Sequence, residues 1–216
     1  MPQIPQTRRS LLIQLGKQND EAWAEFLQVY ETAIVGFCRA MGLQDADARD
    51  ATQEVLAAVH AKVPTWDHDA KRGSFRAWLF RVARNVAVDA IAARARRGNP
   101  GSPSEVERKL ADLADPQSDH DQTLAVEYRR ALLEWAARQA KAEVRETTWQ
   151  AFELTAVREV SADEAAAQLG VSVGSVYTAK CRVVARIRER IAHLDAAFPD
   201  DLDAQALIAK RDNQPD

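Results

Sequence analysis

Arginine and aromatic side chains crowd one stretch of the chain, Gly73–Arg97 (GSFRAWLFRVARNVAVDAIAARARR), which holds six arginines against one aspartate. Guanidinium groups meet phosphates, and aromatic rings stack on unpaired bases at about 1–3 kcal/mol each, so this mixture suits single-stranded nucleic acid. Wound as a helix at roughly 100° per residue, the stretch puts Phe75, Leu79, Val82, Val86 and Ala93 on one narrow apolar stripe. Arg76, Arg84 and Arg94 fall on the opposite side, where Phe80 and Val88 also point outward with no core to enter. Trp78 and Asn85 lie at the boundary between the faces. The same wheel describes an amphipathic helix with an ordinary solvated face, so the rest of the chain has to decide.

Three neighbourhoods bear on that decision. The loop Pro64–Gly73 (PTWDHDAKRG) carries Trp66. A tryptophan in a polar loop caps a core from above or walls a pocket for a flipped base. Ser74 suits the N-cap of the helix that follows. Before the loop, a helix from about Asp45 to Val63 is broken by Pro64. It turns Val55, Leu56 and Val59 inward and carries Asp47, Asp50, Gln53 and Glu54 on its polar face, which serves either solubility or docking to a basic partner. Far downstream, SADEAAAQLGVSVGSVYTAKCRVVARIRERI opens with Ser161 and Glu164 in capping-box spacing. A helix Asp163–Leu169, a turn at Gly170 and a second helix capped by Ser172 make a helix-turn-helix pattern. Val173, Val176, Val184, Ile187 and Ile191 form the inner stripe of the second helix, and Lys180 falls on that side too. Ser175, Thr178, Ala179, Arg182 and Arg186 face outward, the side that would enter a major groove. A plain amphipathic hairpin is the alternative.

The remaining elements are helical as well. A short helix over 7–17 ends near Gly16, and a long one from Asp20 to about Gly42 turns Trp23, Phe26, Leu27, Tyr30, Ile34 and Phe37 inward. Two more, over 123–141 and 143–158, bury Leu124, Tyr128, Leu132, Trp135, Trp149, Phe152 and Val157. Between these sets, 98–122 holds three prolines, two glycines and an excess of acid, the composition of a linker. The expected fold is therefore all-α: a helical domain over 1–97, an acidic flexible linker over 98–122, and a helix-turn-helix domain over 123–192. An acidic tail, 193–216, follows, with Leu202–Lys210 as one further helix.

Charge supports partners rather than catalysis. The net charge of −3 hides segregation: 41–70 and 192–216 each carry −4, 98–127 carries −5, and 71–97 carries +7. Local patches, not the total, govern nucleic-acid binding. His60, His68, His120 and His193 are scattered, Cys38 and Cys181 lie far apart, and no phosphate loop, GxSxG or HExxH occurs. No catalytic residue, metal ligand or cofactor is expected. No apolar window of about 18 residues exists, and the N-terminal apolar run is too short for a signal peptide, which points to a cytoplasmic protein.

DARDATQEV (Asp47–Val55), GSFRAWLFRVARNVAVDAIAARARR, an acidic Pro/Ser linker and SADEAAAQLGVSVGSVY, in that order, resemble an extracytoplasmic-function sigma factor of bacterial RNA polymerase over about Ala22–Arg190. The resemblance implies a two-domain subunit with core polymerase and promoter DNA as partners and, in many relatives, an inhibitory anti-sigma protein. It assigns Asp50, Gln53 and Glu54, with Asp47 at the head of the same motif, to polymerase docking. Trp66, Trp78, Phe80, Arg81 and Asn85 match positions that open the −10 element, to which the wheel adds Arg76 and Arg84. Tyr177, Thr178 and Arg182 match −35 contacts, beside the outward Ser175 and Arg186. Two departures stand out. Tyr177 and Ala179 replace more basic residues, and ETTWQAFELTAVREV lacks the usual proline-containing turn. Apart from the resemblance, the pattern also fits a one-component helix-turn-helix regulator that binds duplex DNA without polymerase, or an all-helical adaptor.

Overall fold

The structure is a computed structural model that describes residues 7–66, 74–97 and 120–195. The linker over 98–119, the tail beyond Asp195 with its expected helix, and most of the loop before Ser74 lie outside those residues. Every regular element described is helical, as composition and periodicity predict, and no β-strand occurs among the described residues. None of these helices is long and apolar enough to cross a membrane.

The helices are α1 (Arg9–Gly16), α2 (Asp20–Ala40), α3 (Asp45–Lys62), α4 (Phe75–Arg97), α5 (His120–Glu143), α6 (Glu146–Phe152), α7 (Ala162–Leu169) and α8 (Val173–Leu194). Their limits follow local chemistry. The Asn19 side chain accepts from the Ala22 amide to start α2, and Ser74 does the same for Ala77 at the start of α4. Gly42, at φ 91°, turns the chain from α2 into α3, and Pro64 converts the end of α3 into a 3-10 turn, Val63–Thr65. In place of a proline turn, α6 runs on into a π-helical turn, Glu153–Val157, and the chain reverses with Glu159 at φ 56°.

The chain divides into two compact units, 1–131 and 132–216, and the division falls inside α5. The sequence reading placed the boundary in 98–122 instead. The physical reason for the difference is burial: Leu124 and Tyr128 are core residues, and the Tyr128 ring lies 5.1 Å from that of Tyr30. Residues 122–131 thus complete the core of the first unit. In that core Phe26 stacks on Tyr30 at 4.2 Å and meets Phe75 edge-on at 6.2 Å, while α3 packs Ala48, Ala51, Val55 and Val59 inward.

Cys38 is buried in α2, and burial pushes its thiol up to about 11, a Thr52 hydrogen bond pulling weakly the other way. Cys181 is exposed on α8. Because the thiolate is the reactive form, a disulfide reagent at neutral pH should titrate one thiol in the folded protein and two in denaturant. Rapid release of both from folded protein would contradict the packing around Cys38.

Candidate nucleic-acid and partner surfaces

The helix α4 has two covered sides, and that changes the reading of its basic face. Phe75, Leu79, Ala83 and Ala87 are buried, but so are Arg76 at 0% exposure and Phe80 at 2%. Val82 and Val86, expected in the apolar stripe, are only half-buried, as is Val88, expected outside. The one-stripe wheel fails because α3 covers one side and the start of α5 covers another. Arg76 Nη2 donates to the Tyr128 hydroxyl at 3.0 Å and to Thr7 Oγ1 at 3.5 Å, and the guanidinium lies 4.1 Å from the centre of the Tyr128 ring. Thr7 Oγ1 and the Tyr30 hydroxyl complete the knot at 2.6 Å. Phe80 packs edge-on to Tyr128 at 6.5 Å. Arg76 and Phe80 therefore hold the first unit together, and neither presents a surface to DNA in this fold.

The side of α4 left open is narrower. Arg81 and Asn85 are exposed, Trp78 and Arg84 half-buried, and the spacing 78–81–85 puts Trp78, Arg81 and Asn85 on one face. Trp66 stands at its upper end, with ring centres 5.3 Å from Trp78 and 5.2 Å from Phe75. The fold thus brings together Trp66, Trp78, Arg81 and Asn85 and sets Arg76 and Phe80 apart from them.

On α3 the spacing of Asp50, Gln53 and Glu54 gives an exposed polar ridge, backed by the buried Ala51, Thr52, Val55 and Leu56. Asp47 differs, since its carboxylate lies 3.8 Å from Arg94 Nη1 and ties the start of α3 to α4. That ion pair joins two surface helices and leaves Asp50 and Glu54 as the acids projecting from the ridge.

In the second unit the helix-turn-helix forms as its capping residues dictate. Ser161 Oγ accepts from the Glu164 amide while the Glu164 carboxylate accepts from Ser161, completing the capping box of α7. Gly170 ends the helix at φ 65°, a left-handed position that favours glycine. Ser172 Oγ then accepts from the Ser175 amide and starts α8. The turn is held by Ala151, Ala165, Ala166, Val176 and Ala179, a core small enough for α6, α7 and α8 to approach closely. Ala179 is buried there rather than outward, because a methyl group fits where α8 crosses its neighbours. Along α8, Val183 replaces Val184 in the inner stripe, and Lys180 is half-buried. Ser175, Tyr177, Thr178, Arg182 and Arg186 are all exposed, Tyr177 at 60%. Arg186 is engaged by Glu189 at 2.9 Å and lies 3.9 Å from Glu143. Thr7, Tyr30 and Tyr128 carry no motif that would have paired them with Arg76; only the three-dimensional core reveals the knot.

One unit thus carries a helix-turn-helix with an exposed polar face, and the other an aromatic–arginine face. Comparison with known proteins adds to this. Residues 26–97 match the Sigma-70 region 2 family model. The chain is 30% identical over 159 residues to the ECF RNA polymerase sigma factor SigF of Caulobacter vibrioides, covering 74% of this chain and 79% of that protein. It is 28% identical over 170 residues to the RNA polymerase sigma factor CnrH of Cupriavidus metallidurans, covering 78% and 85%. A solved structure of CnrH in complex with the cytosolic domain of CnrY aligns at 22% identity and a TM-score of 0.34, covering 84% of this chain and 94% of that one, a score too low to establish a shared arrangement. The chain belongs to the extracytoplasmic-function (ECF) sigma factor family of RNA polymerase.

Proposed function

We propose that the protein recruits core RNA polymerase through the α3 ridge, reads a −35 element with α8 and opens the −10 element at the Trp66–Trp78 cluster. The observation that carries this reading is the face formed by Trp66, Trp78, Arg81 and Asn85. It puts two indole rings beside a cation and an amide at the surface of the segment that matches Sigma-70 region 2. Rings of that kind stack on unpaired bases and so favour the open strand over the duplex. Arg84, half-buried on the same helix, adds a cation for a phosphate at the edge of this face. On α8, Tyr177, Thr178 and Arg182 face outward with Ser175 and Arg186 beside them, a set suited to base edges and phosphates of a major groove. Asp50, Gln53 and Glu54 supply the acidic and amide groups for a basic polymerase surface. Membership of the family makes an anti-sigma protein a further candidate partner.

Glu54→Lys tests the docking step. It reverses a charge on an exposed side chain, so folding is spared and affinity for core polymerase is expected to fall about tenfold or more. Co-purification with tagged core polymerase checks this, and wild-type recovery of the variant would remove the α3 ridge from the docking site.

A further inference from the structure

The second unit has a groove between the start of α6 and the outer side of α8. One hollow, of about 490 Å³, is lined by Thr148, Ser172, Ser175, Thr178 and Arg182. An adjoining one, of about 450 Å³, is lined by Glu143, Arg145, Thr148, Arg182 and Arg186, so the two share Thr148 and Arg182. The arginines around it are not equivalent. Glu143 is hydrogen-bonded to Arg190 and lies 3.9 Å from Arg186, whose other partner is Glu189. Arg145 and Arg182 are exposed and have no carboxylate partner among the described residues.

The hydroxyl groups divide in the same way. Thr178 spends its proton on the Gly174 carbonyl at 2.9 Å. Ser172 and Ser175 share one hydrogen bond at 2.8 Å, which leaves one of their two protons to donate outward. The Thr148 hydroxyl is not engaged by any described residue, although its amide bonds to the Arg145 carbonyl. What remains open in the groove is thus two cations and two hydroxyl donors, while its lining acid, Glu143, is already paired with Arg186 and Arg190, which leaves the donor set of an anion.

We propose that this groove seats backbone phosphates of duplex DNA, with Arg145 and Arg182 supplying the charge and Thr148 and the Ser172–Ser175 pair the neutral donors. This rests on the reading of α8 as the −35 helix and adds to it a clamp from α6 that no sequence motif marks. Arg145 is a phosphate-positioning residue, blind to sequence. Glu143 holds Arg186 and Arg190 back from the same groove and so limits how many phosphates it takes.

The test uses holoenzyme assembled from the full chain and core polymerase. Its DNA is a duplex fragment that the wild-type holoenzyme selects from random sequence, and the same fragment with the upstream motif scrambled. Binding is measured at several salt concentrations. Arg145→Ala should weaken both fragments by the same factor, about five- to tenfold, and lower the salt slope by about one; Arg145→Lys should restore the slope. Arg182→Ala, which removes a phosphate cation that also faces base edges in the −35 reading, should lower the slope as well and weaken the selected fragment more than the scrambled one. If Arg145→Ala leaves both affinities and the slope unchanged, or affects only the selected fragment, the phosphate seat is wrong. If wild-type holoenzyme does not distinguish the fragments, the −35 reading fails instead, and the slope still reports on Arg145.

Discussion

Tyr128→Ala is expected to destabilise the first unit by about 4 kcal/mol, more than any other single substitution considered for this protein. The tyrosine ring lies against the Arg76 guanidinium, its hydroxyl accepts from Arg76 Nη2, and the ring packs on Phe80 and Tyr30. Alanine leaves a cavity and takes an acceptor and a ring face from a cation at 0% exposure. Burial of that charge is tolerable only while those partners remain. Tyr128→Phe keeps the ring and loses the hydroxyl, so it should cost about 1–2 kcal/mol. Denaturant unfolding of the two variants checks the pair. Midpoints for Tyr128→Ala equal to wild type would mean that α5 does not belong to the core of the first unit. Phe80→Ala belongs with these variants: its effect should appear in stability, because its ring is inside.

Trp66→Ala combined with Trp78→Ala is expected to reduce open-complex formation about a hundredfold while leaving recruitment of polymerase to closed promoter DNA within a few-fold. The estimate takes one stacked base for each indole at about 1–3 kcal/mol. Both rings are only half-buried, so their removal costs less stability than the loss of a fully enclosed aromatic. The rings also touch each other and Phe75, which predicts that the two single variants are not additive. Permanganate reactivity of unpaired thymines in holoenzyme complexes measures the melting directly. Wild-type reactivity in the double variant would take the indole cluster out of the −10 site.

How far the sequence could be read depended on the range of the interaction. Helix limits were legible because their causes are local: Pro64, Gly42, Gly170, Ser74, Ser172 and the Ser161–Glu164 box each act within about one turn. The exposed α8 face was legible for the same reason, since its pattern repeats along one helix. The α4 face was not. A helical wheel assigns arginine to solvent and assumes a single covered side, whereas Arg76 is covered by a residue 52 positions further on. No periodicity within α4 reports Tyr128, and the residues between them have a linker's composition. Ala179 failed for a related reason: its small side chain is silent about whether a neighbouring helix crosses there. Arg145 and Thr148 escaped notice because a groove is a property of two helices together.

Transcription from random-sequence template by core polymerase, with and without the purified chain, tests the central claim most directly. With the chain, discrete start sites should appear, sharing two upstream sequence motifs, and they should vanish with Glu54→Lys. The same transcripts with and without the chain would contradict its role as a promoter-specificity subunit.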